Sequence, residues 1–181
     1  MFIEDKNFLN NEQKKHLKNN VLGDNFPWYW SDHAVNEKDG TGYFSHQVLL
    51  RPDGGTYENR INSSYYDFFE DIFKSFCKNN NLEYKEILRI CLNASISSKQ
   101  KESIIHKDHD FPCKHMLIYL SDIADNIGHT YIYEKDKKTM FKKIKPEMYK
   151  GVCWDWKYRS AEPPSMGRRV VIVYTFIKIK L

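Results

Sequence analysis

The stretch that decides the fold is residues 104–120, IIHKDHDFPCKHMLIYL. Its second half, HMLIYL (115–120), is a short apolar run and reads as a strand. Its first half packs His106, Asp108, His109 and Asp110 into five positions. In extended backbone, residues i and i+2 point to the same face. His106 and Asp108 then project together, while Lys107 and His109 point the other way. An imidazole and a carboxylate on one face supply two thirds of the facial triad that holds non-haem Fe(II), which leaves positions open for a co-substrate and oxygen. Taken alone, His-x-Asp is too short to carry that reading, and its surroundings decide.

The chain around it has two textures. Downstream of residue 86, EILRICLNA, SIIHKD, KHMLIYLSD, HTYIYEK, GVCWDW and RRVVIVYTFIKI are short, β-branched or aromatic, and separated by turn-like segments. Upstream, NNEQKKHLKNNVLG (10–23) reads as a short helix with Asn10 or Asn11 as N-cap and Gly23 at its end. NFPWYW (25–30) breaks after it at Pro27, GYFSHQVLL (42–50) reads as a strand, and RPDGGT (51–56) as a turn. SSYYDFFEDIFKSFCKNN (63–80) is the clearest helix, capped by Ser63 or Ser64. Its Tyr66, Phe69, Ile72, Phe73 and Phe76 form a core-facing stripe. The expected class is α+β, mainly β: a double-stranded β-helix, or jelly roll, buttressed by N-terminal helices. We expect one domain over 1–181, with 1–85 as buttress and 86–181 as jelly-roll core.

Composition narrows the function. The 181 residues suit one domain with a real core, at 41% hydrophobic and 15% aromatic. No apolar run approaches the roughly 20 residues that span a bilayer, and the N-terminus lacks a signal-peptide pattern, so a cytoplasmic protein without membrane partners is expected. Cys77, Cys91, Cys113 and Cys153 are scattered, which favours reduced thiols. The net charge of +4 is mild, although six lysines cluster in KDKKTMFKKIK (135–145). A solvated loop or edge strand accounts for them. No recognised nucleic-acid motif accompanies them, and a nucleic-acid partner is not expected. His46 reads as a structural histidine, and the four tryptophans as core or pocket wall.

The order of these segments resembles the Fe(II)/2-oxoglutarate-dependent oxygenases, in particular small prolyl-hydroxylase-like members of the marine phage and bacterial type. The likeness spans nearly the whole chain: the FPWYW turn, YFSHQVL, the His-x-Asp pair, IYLSD, NIGHT, and the closing PPSMGRRVVIVYTF. It implies that His106 and Asp108 are iron ligands. It implies that Tyr119 and an arginine on the penultimate core strand hold the distal carboxylate of 2-oxoglutarate, with Gly128, His129 and Thr130 at a pocket-lining strand start. A planar guanidinium fork suits that carboxylate. Parity allows Arg168 or Arg169; the smaller neighbours Val171, Val173 and Thr175 favour Arg169.

The likeness fails at one place. The third iron ligand should be a histidine shortly after an aromatic–acidic pair such as Trp154–Asp155, yet Arg159 or Ser160 stands there, and His129 is the last histidine of the chain. His115, His129 or Asp155 could replace it, or two protein ligands could suffice. Alternatively the chain is a non-catalytic relative in which Arg159 pairs with Asp108, since a buried carboxylate without a metal needs a partner. The expected function is therefore an Fe(II)- and 2-oxoglutarate-dependent oxygenase of hydroxylase type, acting on an unidentified small molecule or peptide. The alternative is a binder of a small dicarboxylate or a partner on the same fold.

Overall fold

The computed structural model describes residues 1–33, 42–52, 60–121, 123 and 127–179. It is a mainly β jelly roll built from strands β1 (Phe2–Asp5), β2 (Tyr29–Ser31), β3 (Tyr43–Leu49), β4 (Tyr84–Ile96), β5 (Lys114–Tyr119), β6 (Thr130–Tyr133), β7 (Met140–Ile144), β8 (Gly151–Asp155), β9 (Tyr158–Ala161) and β10 (Arg168–Lys178). Helix α1 (Asn11–His16), continued by a π-helical turn over Leu17–Val21, and helix α2 (Tyr66–Asn79) complete it. A seven-stranded sheet runs β1-β8-β5-β10-β4-β3-β2 and faces a three-stranded sheet, β7-β6-β9. The pairings within them are antiparallel. Strands β1 to β3, upstream of residue 86, thus belong to the same sheet as the downstream strands.

Strand β10 shows how the pattern makes two cores. Its side chains alternate between faces. Val170, Ile172, Tyr174 and Phe176 join one cluster with Ile90, Leu92, Met116 and Ile118, onto which α2 lays Phe69, Ile72, Phe73 and Phe76. Each such side chain contributes about 1.5–3 kcal/mol on leaving water. The other face carries Val171 and Val173, which pack between the sheets with Leu117, Tyr119, Val152, Trp154, Ile132 and Ile144. That inner face also carries the polar residues of the site.

Local expectations held unevenly. Asn10 caps α1 in a capping box with Gln13, whose amide also reaches Asp71 and Ser75 on α2. Helix α2 starts later than the serines suggest: its N-cap is Tyr65, without a side-chain cap, and Ser63 instead accepts from Tyr65 N–H and bonds His46 Nε2. His46 is structural, its Nδ1 held by the Pro27 carbonyl at 2.8 Å. The RPDGGT turn lies largely outside the described residues. The four cysteines are buried and unpaired, and burial pushes the thiols of Cys77, Cys113 and Cys153 up to about 12. The lysine-rich segment forms exposed edge strand β7, with Lys142 over the Phe2 ring and Lys143 over Tyr131. Among the described residues no helix is long and apolar enough to cross a membrane.

Candidate functional site

Register places the site residues in rows on the inner face. Across β5, β10 and β4, one row is Tyr119, Val171 and Asn93, the next Leu117, Val173 and Cys91, the next His115, Thr175 and Arg89. Arg169 stands opposite Ser95 at the far end of the same face. From the smaller sheet, Arg159 and Ala161 pair with Ile132 and Thr130 and close the space from the other side. A cavity of about 230 Å³ results, and it runs from Arg89 to Arg169.

The 106–110 segment is not the continuous strand its alternation suggests. It makes a single bridge to β9, with His106 N–H donating to Arg159 O at 2.9 Å and Arg159 N–H returning to His106 O at 2.8 Å. The chain then turns, and Asp108 drops into the interior. Its carboxylate takes a bidentate fork from Arg159, Nε at 2.8 Å and Nη2 at 3.0 Å. Arg89 Nη1 adds a bond at 3.0 Å, Arg51 Nη2 a longer one at 3.4 Å, and His115 Nε2 approaches to 3.3 Å. Burial by itself raises the Asp108 pKa, but the Arg159 charge, with His115 and the Arg159 hydrogen bonds, holds it well below the usual carboxylate range. Asp108 is therefore ionised and saturated with donors.

His106 lines the same cavity, its Nδ1 fixed on the Ile104 carbonyl at 2.8 Å. Burial, then the Arg159 charge, lowers its pKa to about 4, so the ring is neutral at pH 7. His109 does not face solvent. It is buried, with Nε2 on Thr175 Oγ1 at 2.7 Å, and the turn at 108 is what reverses its side. Asp110 is exposed.

At the other end, Arg169 is 4% exposed and Arg168 lies on the surface, reaching Leu22 O. Arg169 Nε donates to Gly128 O at 2.8 Å and Nη2 to Thr130 Oγ1 at 2.6 Å. Tyr119 donates to the same Thr130 hydroxyl at 2.7 Å, and its ring lies under the guanidinium at 5.5 Å. Gly128 presents its carbonyl at φ +75°, which L residues rarely adopt; a Cβ there would also meet Ile123 Cδ1 at 2.5 Å. Each named partner of Arg169 is neutral. Tyr119, Thr130, Arg169 and Gly128 are thus brought together.

The replacement ligands fare differently. His115 comes to Asp108, stacked on Trp154 with centroids 5.5 Å apart. His129 is turned to Glu162, at 2.7 Å from Nδ1. Asp155 is held outside by Lys114 and the N-terminal amine. Ser160 bonds Glu102. The sequence reading missed Arg51 and Arg89 entirely, although an arginine inside the apolar run EILRICL was a visible signal.

Does this site fit iron? Among the described residues, no three His, Cys, Asp or Glu side chains converge. Both Asp108 oxygens already accept from guanidinium groups, and the Arg159 and Arg89 cations stand against the carboxylate. Like charge opposes a divalent ion at short range. The residues present do not fit an Fe(II) centre.

No family model matches the sequence, and no curated protein matches it. Solved structures do share the fold. A prolyl hydroxylase from Trichoplax adhaerens, in complex with a hypoxia-inducible-factor peptide fragment, superposes at TM-score 0.63 with 15% identity, covering 97% of this chain and 83% of that one. A 2OG-Fe(II) oxygenase family member from Burkholderia pseudomallei gives 0.59 and 13%, covering 92% and 89%. A viral collagen prolyl hydroxylase from Paramecium bursaria Chlorella virus-1, in its 2OG complex, gives 0.53 and 12%, covering 99% and 96%.

Proposed function

We propose that this chain, which has the fold of the 2OG-Fe(II) oxygenases, binds a small dicarboxylate of the 2-oxoglutarate class without iron chemistry. The observation that carries this reading is the bidentate Arg159–Asp108 pair, which fills the place the resemblance gives to metal and its third ligand. The Arg169–Thr130–Tyr119 end remains equipped to take a carboxylate. A guanidinium with neutral neighbours, buried in a cavity, favours an anionic visitor.

Titration calorimetry of 2-oxoglutarate and succinate into chelator-treated protein tests this. Saturable binding that weakens about tenfold or more in Arg169→Met supports it. Binding that depends on added Fe(II) would overturn it in favour of the oxygenase reading. One observation favours that second reading: the Nδ1 bond of His106 to Ile104 O is the orienting contact a metal-bound imidazole commonly has.

A further inference from the structure

Among the described residues, the lining of the cavity carries more positive than negative charge. Arg89, Arg159 and Arg169 are 6%, 7% and 4% exposed, and all three line it. Asp108 is the one carboxylate among the described residues that line it. Among the described lining residues, three buried cations face one buried anion, an excess of two positive charges. Buried charge without a counter-charge is costly, so such an excess persists where an anion completes the site.

The excess lies at two ends. Arg169 and Ser95 stand six residues along β4 and β10 from Arg89 and Thr175. At about 3.3 Å per residue this separates the two backbone rows by roughly 20 Å, which the long arginine side chains shorten. One carboxylate at Arg169 leaves the Arg89 end with two buried guanidinium groups against the single carboxylate of Asp108. That end has guanidinium groups from two separate strands, Arg89 from β4 and Arg159 from β9. Among the described residues, the buried Arg89 Nε has no hydrogen-bond partner. Guanidinium groups arriving from different directions suit a tetrahedral oxyanion better than a planar carboxylate.

We infer that the Arg89–Arg159 end is an oxyanion subsite, so that the ligand is an elongated anion with a phosphate-class group at that end and a carboxylate at Arg169. The position assigned by resemblance to a metal cation has become a seat for an anion, with Asp108 no longer a ligand but the brace that aligns the two arginines. This rests on the iron-free anion-binding reading above. Asn93 and Ser103 add neutral polar groups to the wall between the ends.

Inorganic phosphate is the probe, titrated into full-length, chelator-treated protein and followed by calorimetry and by thermal shift. Wild-type protein binds it and gains thermal stability. Arg89→Met weakens phosphate about tenfold or more, and Arg89→Lys, which keeps the charge and the fold, recovers part of the loss. Arg169→Met leaves phosphate binding unchanged within about twofold while weakening 2-oxoglutarate. No phosphate binding at millimolar concentration overturns the inference, as does phosphate binding indifferent to Arg89 and sensitive to Arg169. If phosphate binds through Arg89 but 2-oxoglutarate and succinate bind nowhere, the subsite stands and the dicarboxylate reading fails. Dicarboxylate binding without phosphate binding separates them the other way.

Discussion

Asp108 is the residue on which the reading turns. It is an ionised carboxylate held by Arg159 and Arg89 with almost no access to water. Asp108→Asn leaves those arginines without their counter-charge, and the expected loss is about 3–5 kcal/mol, read from urea denaturation. Phosphate in the buffer should restore part of that loss in the variant. Arg159→His makes the opposite change. It removes the fork from Asp108 and puts an imidazole beside His106 and Asp108, so divalent binding should tighten by on the order of tenfold or more, visible in the absorption of Co(II). Unchanged Co(II) affinity would mean that something other than Arg159 keeps metal out. Both substitutions concern side chains whose types were legible in the sequence. The partnership was anticipated for Arg159 but not for Arg89, because residues 89 and 108 meet only through the strand register.

At the scale of elements, helix α2 and strand β10 carry the fold. Phe73 touches Tyr84, Tyr174 and Phe176 at once. Phe73→Ala should cost about 3–5 kcal/mol with no local repair, measured by thermal or chemical unfolding. Both elements were readable from periodicity, since apolar residues recurred at helical spacing in one and without interruption in the other. The 104–110 stretch was not. Its alternation suggested a strand, whereas one bridge to β9 followed by a turn buries both Asp108 and His109. Alternation predicts faces only where the backbone stays extended, and a bend at Asp108 is enough to defeat it.

For the whole molecule, burial of neutral histidines sets the response to acid. Burial, then the Arg51 charge, lowers His109 from its ordinary 6.5 to about 4, and His106 is lowered to the same value. Between these values the unfolded chain takes up protons that the folded chain refuses, so stability is full above pH 6.5 and falls as pH drops towards 4. Asp108, with its depressed pKa, extends the loss below that window. Urea midpoints across the window should fall steadily, and His109→Gln should flatten the slope while keeping a partner for Thr175. The sequence by itself determined the jelly-roll class, the core-facing helix stripe and the presence of His106, Asp108, Tyr119 and Arg169, because hydropathy period and short motifs are local properties. Only the tertiary structure decided what surrounds Asp108. Arg89, Arg159 and His115 come from three strands far apart in the chain, and they meet around Asp108 only once the strand register is set and the two sheets close on one another.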